Sequence, residues 1–315
     1  MGVGHVETDG YTIRDYEGSD RSDVLALYER VTGRAGDPWL RWKHETNPYV
    51  DDVPITVAVR DGRVVAARSG FVLPLRAGNG RYLALQLADA LVAPDHRGAG
   101  LLDRATDRLC ARYESGEPDL LVTFRTGGGE AGGDARGERW RVAGTVPTYR
   151  RVQRPSRLVD SAGTDRSRLA VGAADTCARA YLSARDALTE RPADVTVERE
   201  RGVATRGLLS AYRTERPAGW HALRDSRYYA WRYENPGWHY RTYLVRADHG
   251  VVAALVVGRR PEGDRVAVVE ALPLSGDRRR IHQFGALVDR AIADHPDAAV
   301  ASVCGDRLPR DLLAS

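Results

Sequence analysis

Cysteine is scarce: Cys110, Cys177 and Cys304 are the only three in 315 residues. They are far apart and odd in number, and no Cys-x-x-Cys pair occurs, which excludes a zinc knuckle. Each falls in an apolar helix or strand pattern, so each is expected to be a buried, inert thiol. Long hydrophobic runs are also missing. The longest, Val251–Val257, has the length of a strand, far short of the roughly 20 residues that span a bilayer. The opening Met1-Gly2-Val3-Gly4-His5 has no basic region followed by an apolar one. No signal peptide is read there, and the cytoplasm is the expected compartment. Lysine is the scarcest charged residue, since Lys43 is its single instance.

What is present is ordinary for a folded chain. Hydrophobic residues make up 43% and charged residues 29%, which excludes a disordered polyelectrolyte. The net charge is +4, carried by arginine. Guanidinium groups suit phosphates, whether of coenzyme A or of nucleic acid. The arginines are nevertheless scattered among acids, as in Glu198-Arg199-Glu200-Arg201, and read as a bias of composition. No basic patch with aromatic platforms marks a nucleic-acid footprint. The length suits two domains.

Hydrophobic periodicity gives the order of elements. Tyr11–Tyr16 reads as a strand, and Val24, Leu25, Leu27, Tyr28 and Val31 as a helix, with Ser19 or Asp20 as its cap. A short helical piece spans Trp39–Glu45. Strands at Ile55–Val59 and Arg63–Leu75 flank Asp61-Gly62, a strong hairpin turn. Another strand, Tyr82–Val92, follows the turn Gly78-Asn79-Gly80. Leu101, Leu102, Ala105, Leu109 and Tyr113 make an amphipathic helix, and Leu120–Phe124 a short buried strand. A glycine-rich stretch covers Gly127–Gly137. Trp140–Val146 and Tyr149–Val152 read as two closing strands, and Pro155–Asp165 as a polar linker before a helix at Ala173–Leu188.

The second half repeats this order. Leu-Arg-Trp-Lys-His-Glu-Thr-Asn-Pro at Leu40–Pro48 returns as Tyr-Tyr-Ala-Trp-Arg-Tyr-Glu-Asn-Pro at Tyr228–Pro236. A strand pair around Asp248-His249-Gly250, a strand at Val266–Leu274, a helix beginning at Ile281 and a strand at Val300–Val303 follow. An internal duplication accounts for this. The Trp/Glu/Asn-Pro element is read either as an aromatic cluster capping a core or as a wall of a substrate groove. The expected fold is a mixed α/β fold in two copies, each a mostly antiparallel sheet flanked by helices. The expected domains are 8–154, a linker and helix at 155–190, and 191–315.

The segment Ala90–Asp103 carries the chemistry: a strand, a tight glycine turn and the start of a helix. Unpaired amides at a helix start, approached closely past glycines, favour a pyrophosphate, and Arg97 adds a cation. No Gly-Lys-Ser/Thr follows, so it is not a P-loop. Val92-x-Pro94-x-His96-Arg97-Gly98-Ala99-Gly100-Leu101-Leu102 resembles the GNAT superfamily of acyl-CoA-dependent N-acetyltransferases, whose pattern is Arg/Gln-x-x-Gly-x-Gly/Ala after a strand ending Val-x-Pro. Leu102 stands where the family has Gly or Ala. The resemblance runs from Tyr11 to Val152, and the element order extends it to the second half.

The resemblance implies acetyl-CoA as cosubstrate and no metal. Leu91 and Val92 would bond the pantetheine arm. The amides of Arg97, Gly98, Ala99, Gly100, Leu101 and Leu102 would hold the pyrophosphate. The sheet would splay after Val92, and a small amine or peptide acceptor would attack the thioester directly. The family's usual tyrosine has no counterpart, since the equivalent region near Ala135 lacks one. Asp89, three residues before Val92, is the expected base, and its apolar neighbours predict a raised pKa; the alternative is a satisfied structural carboxylate. Tyr149 is the candidate hydroxyl from the last strand. Glu130 and Asp134 are further carboxylates within reach of the cleft, and His96 is a turn residue or a base. In the second half, Gly276 and three arginines replace the turn, so that copy reads as degenerate, with Glu270 in a place like that of Asp89. Two other readings stay open: an acyl-CoA-binding module without turnover, and transfer of an aminoacyl group from tRNA.

Overall fold

The computed structural model describes residues 6–34, 36–124, 140–160, 168–187, 195–248, 250–274 and 280–314. The chain forms two compact units. The first comprises Met1–Gly132 with Ala218–Pro236, and the second Gly133–Pro217 with Gly237–Ser315.

In chain order, the first stretch contains β1 (Val6–Thr8), β2 (Tyr11–Asp15), α1 (Arg21–Thr32) and α2 (Asp37–Leu40), the last running into a π-helical turn at Arg41–Glu45. β3 (Ile55–Arg60), β4 (Arg63–Ala77), β5 (Gly80–Val92), α3 (Leu101–Arg112) and β6 (Leu120–Thr123) follow. The later stretches hold β7 (Thr148–Val152), α4 (Pro155–Asp160), α5 (Arg168–Ala187), β8 (Val197–Arg201), α6 (Thr205–Thr214), β9 (His221–Ala222) and α7 (Ser226–Arg232). β10 (His239–Ala247), β11 (Gly250–Arg259), β12 (Arg265–Leu272), α8 (Ile281–Ala293), β13 (Val300–Cys304) and α9 (Arg310–Ala314) complete the chain.

The sheet of the first unit has the order β1-β2-β3-β4-β5-β6, with β9 added against β4. Only the β5–β6 pair is parallel. Neighbouring residues on a strand point to opposite faces. Ile55, Val57 and Ala67 therefore join Val24 and Leu27 of α1 in one core layer, while Ala58 and Ala66 join Leu101 of α3 in the other. The β3–β4 hairpin turns on Asp61 and Gly62, both at positive φ (50° and 73°), as a tight Asp-Gly turn requires. Asp20 does not cap α1 with its side chain. It takes both Arg14 guanidinium nitrogens, at 2.6 and 2.7 Å, and the Glu17 N–H at 2.9 Å.

The second unit's sheet runs β7-β13-β12-β11-β10-β8, with β12 and β13 parallel. Phe284 and Leu287 of α8 fill its core against Tyr243, Leu255 and Val257. Two memberships differ from the sequence expectation. β7, read as the closing strand of the first copy, pairs with β13 from Thr148↔Cys304 to Val152↔Val300. Residues 141–147 form no strand. Conversely, 218–236, a piece of the second copy, belongs to the first unit, where β9 pairs with Leu75 and Arg76 of β4. The expected boundary at residue 154 thus differs from the compact units, because strands are recruited by the free edge they cover rather than by their place in the chain. Of the cysteines, Cys110 is buried but Cys177 and Cys304 are exposed, Cys304 at the last position of its strand.

The repeated Trp motif meets its own copy inside the first unit. Trp42 Nε1 donates to Trp231 O at 2.7 Å, and Trp231 Nε1 donates to Trp42 O at 2.9 Å. The rings stack with centroids 5.9 Å apart. Asn47 is buried, its Nδ2 donating to Val72 O and its Oδ1 accepting from Tyr49 N–H. These are core-capping contacts. Trp231→Ala is expected to cost about 3–5 kcal/mol, because it removes a buried ring and the indole N–H that donates to Trp42 O. Trp231→Phe should cost clearly less. Urea unfolding followed by near-ultraviolet dichroism checks the ranking, and equal losses would show that ring packing contributes nothing.

Candidate functional site

The site begins where β5 parts from β6. Their parallel register runs from Ala84↔Leu120 to Leu87↔Thr123, and β5 continues alone on that side to Val92 among the described residues. The separation thus starts after Leu87, five residues earlier than the sequence reading placed it. Ala90 is exposed and Val92 half-buried, as an open strand edge requires. At the same place β5 carries a bulge against β4. Arg68 pairs with Ala90 and Gly70 with Leu87, so Ala88 and Asp89 together oppose Ser69. The extra residue redirects a side chain that strict alternation would aim elsewhere.

Beyond Val92 the chain makes a 3-10 turn at Pro94–His96 and then the glycine turn. Gly98 (φ 83°) and Gly100 (φ 65°) lie in the left-handed region, and Gly100 is the N-cap of α3. A side chain at either would meet nothing within 4 Å, so conformation, not crowding, demands glycine. The space over the turn is open to a ligand. Leu91 and Leu101 bury their side chains in the two core layers, at 4% and 1% exposure, which leaves only their backbones for binding. Arg97 is exposed and its guanidinium makes no ion pair with a described residue. Ala99 packs at the rim of the α3 core layer, and Leu102 is half-buried. Arg104, one turn into α3, donates through Nη2 to Ala99 O at 2.5 Å, while its Nη1 is buried with no hydrogen-bond partner among the described residues. A buried, unsatisfied guanidinium nitrogen beside the amides of a helix start fits an anion.

His96 is held on the turn. Arg60 donates to the Tyr11 hydroxyl at 3.0 Å, and that hydroxyl donates to His96 Nδ1 at 3.0 Å. His96 lines a cleft of about 380 Å³ with Arg30, Arg60, Arg63 and Ala93.

Asp89 is not the apolar carboxyl expected from its neighbours. Lys43 Nζ lies 2.6 Å from Asp89 Oδ2 and 5.2 Å from the centroid of the Phe71 ring. Ser69 Oγ lies 3.4 Å from the same carboxylate oxygen. Burial alone would raise the pKa of Asp89; His44 and the Lys43 ammonium outweigh it and hold the carboxyl well below the usual range. The His44 contribution is the weaker in geometry, since its Nε2 stands 3.8 Å away, beyond a hydrogen bond. His44 is fully buried, donates Nδ1–H to Gly70 O at 2.9 Å, and leaves Nε2 without a partner among the described residues. Burial pushes its pKa down, so it is neutral at pH 7.

The structure does not bring Tyr149 to this sheet. It sits on β7 in the second unit, and its hydroxyl donates to Asp306 at 2.8 Å, an interaction that raises its pKa. Gly127–Gly137, with Glu130, Asp134 and Ala135, and Gly276 lie outside the described residues. In the second unit Glu270 lies two residues past the last parallel pair, Val268↔Val303, as Asp89 does past Leu87↔Thr123. It too sits beside a bulge, but it is 1% exposed, and Arg307 donates to Val269 O at 2.7 Å and approaches Glu270 to 3.8 Å. A side chain of the second unit thus occupies a place that no described residue fills in the first unit. Arg280, the last of the basic cluster, donates to Val252 O. Among the described residues no group of His, Cys, Asp and Glu could hold a metal, and no helix is long and apolar enough to cross a membrane.

Sequence reasoning did not find Lys43, His44, Ser69, Tyr11, Arg60 or Arg104. Only Lys43 carried a signal, as the sole lysine.

Residues 12–124 match the acetyltransferase (GNAT) domain. No curated protein is a significant match. Among solved structures, a GCN5-related N-acetyltransferase from Kribbella flavida is similar at TM-score 0.55 and 16% identity, over 96% of this chain and 67% of that one. One from Anabaena variabilis ATCC 29413 has TM-score 0.59 and 10% identity, over 94% and 66%. A conserved protein of unknown function from Enterococcus faecalis V583 has TM-score 0.55 and 9% identity, over 93% and 65%. The chain therefore spans about two thirds of the length of the proteins it resembles, and the likeness is one of fold.

Because the folded-state pKa of Asp89 lies below its unfolded value, its ion pair contributes stability above about pH 4 and loses it as pH falls through the folded value. A carbon-13 NMR titration should find the Asp89 midpoint well below the ordinary ~3.9. In Lys43→Met, burial is less opposed and the midpoint should rise. An unshifted midpoint in the parent protein would refute the pair.

Proposed function

We propose that the first unit, whose residues 12–124 match the acetyltransferase (GNAT) domain, is an N-acetyltransferase acting from acetyl-CoA on an amine acceptor. The observation that carries this reading is the glycine turn. Gly98 and Gly100 at positive φ open the start of α3 directly beside the unpaired edge of β5. The amides of residues 97–102 suit a pyrophosphate, with Arg97 and the buried Nη1 of Arg104 as cations. The backbone of Leu91 and Val92 suits the amides of a pantetheine arm. When bound, acetyl-CoA supplies an activated acyl group and a thiolate leaving group.

The chain's own residues then have three tasks: to admit the amine, to take its proton and to shield the reaction from water. Asp89 faces the α1 side of the sheet, since Leu91, two residues on, packs in that core layer. Its carboxylate is ionised and attracts an ammonium, but it is too acidic to hold a proton at pH 7. It therefore serves to orient the amine and passes the proton on. The acceptor is a small amine or a peptide amine.

A second reading rests on the same pair. With Lys43 already on Asp89, the unit can bind acyl-CoA without turning over. Calorimetry with acetyl-CoA and a thiol-release screen over an amine panel separate the two. Binding with turnover supports transfer; binding without turnover supports the module; no binding removes both. Gly98→Val and Gly100→Val each force a side chain into the left-handed region, at about 1–2 kcal/mol, and should weaken acetyl-CoA binding at least tenfold. Gly33, also at positive φ (69°) in open space, is the control: Gly33→Val carries the same strain and should leave the affinity unchanged.

A further inference from the structure

We propose that Lys43 is a modification site: the chain acetylates it from its own bound acetyl-CoA. The proposal rests on the acyl-CoA reading of the first unit, and three observations of that unit carry it. The first is chemical identity. Of the 47 lysines and arginines in the chain, all but Lys43 are arginine, and the matching position of the repeated motif holds Arg232. A salt bridge alone is served at least as well by arginine. What lysine adds is an amine that can lose a proton and act as a nucleophile, which a guanidinium cannot.

The second is how the ammonium is held. Asp89 takes it at 2.6 Å, and the face of Phe71 lies 5.2 Å away. Ser69 steadies the carboxylate. A carboxylate and an aromatic face together form a site for an alkylammonium. Asp89 lies two residues past the last β5–β6 pair, so the amine stands beside the stretch of β5 that no described strand pairs on that side. Lys43 is sheltered but not sealed, at 14% side-chain exposure.

The third is the buried Nε2 of His44. It has no hydrogen-bond partner among the described residues and lies 3.8 Å from the same Asp89 oxygen. It is a buried lone pair near the pair, within reach of a proton if the side chains close by about 1 Å.

The reaction balances as a plain acyl transfer. The Lys43 ammonium first loses one proton, by way of Asp89, to His44 Nε2 or to solvent. The free amine attacks the thioester carbonyl, a C–N bond forms and the C–S bond breaks. The second amine proton goes to the departing thiolate. The products are Nε-acetyl-Lys43, coenzyme A as its thiol, and one released proton. The acetylated side chain is neutral, so Asp89 loses its counter-ion and is free to receive the ammonium of an external acceptor.

The test uses the full chain with isotope-labelled acetyl-CoA, intact mass and peptide mapping, beside calorimetry of acetyl-CoA binding. Label should appear on Lys43 and disappear in Lys43→Arg while acetyl-CoA binding persists. Gly100→Val should lose both label and binding. Binding with Lys43 left unlabelled would overturn the proposal and leave the acyl-CoA reading standing. Absence of binding would remove that reading and the proposal with it. Label at Lys43 that accrues equally fast in the urea-unfolded chain would mark simple chemical acetylation and would also overturn it.

Discussion

A β-strand can leave its neighbour only where the backbone groups facing that neighbour find other partners. In the first unit this demand falls on the end of β5. Four residues pair with β6, and the strand then runs on to Val92 with no ladder on that side among the described residues. The bulge at Ala88–Asp89 makes the separation, and the turn at Gly98 and Gly100 continues it into the start of α3. Backbone groups along one edge, then the amides of a helix start, are what the proposed extended ligand, with amides at one end and phosphates at the other, would require.

The second unit shows what happens when the same geometry is closed. Its sheet also has a parallel pair and a bulge, and Glu270 lies two residues past the last parallel pair, as Asp89 does. Yet Arg307 reaches the bulge carbonyl and the acid, and Glu270 is sealed from solvent. A buried acid beside a guanidinium is stable packing, whereas a partly exposed acid beside a lysine is poised chemistry. Among the described residues the two sheets thus share the parallel pair, while the place beside it is filled only in the second. The Trp42–Trp231 pair joins two similar sequence motifs, each donating its indole N–H to the other's carbonyl.

Much of this was legible in the sequence because it is local. The alternation of β3–β5, the Asp61-Gly62 hairpin, the glycine turn before α3 and the repeated Trp motif all declare themselves within a dozen residues. What was not legible depends on pairing across the chain. Nothing in Thr148–Val152 says that it covers the edge of β13 rather than of β6, since alternation names a strand but not its partner. The two-residue β9 is too short for any periodicity. The pKa of Asp89 was read from its apolar sequence neighbours as raised, and the structure lowers it, because the decisive neighbour, Lys43, lies 46 residues away. Of that contact the sequence offered only a rarity: one lysine among arginines.

Amide hydrogen exchange of the full chain with and without acetyl-CoA tests the central claim most directly, that the open edge of β5 and the turn after it are the acyl-CoA site. Residues 88–92 and 97–103 should slow on addition of acetyl-CoA, and the corresponding stretch of the second unit, 265–274 and 280–290, should not change. Slowing confined to the second unit, or none in either, would contradict the account.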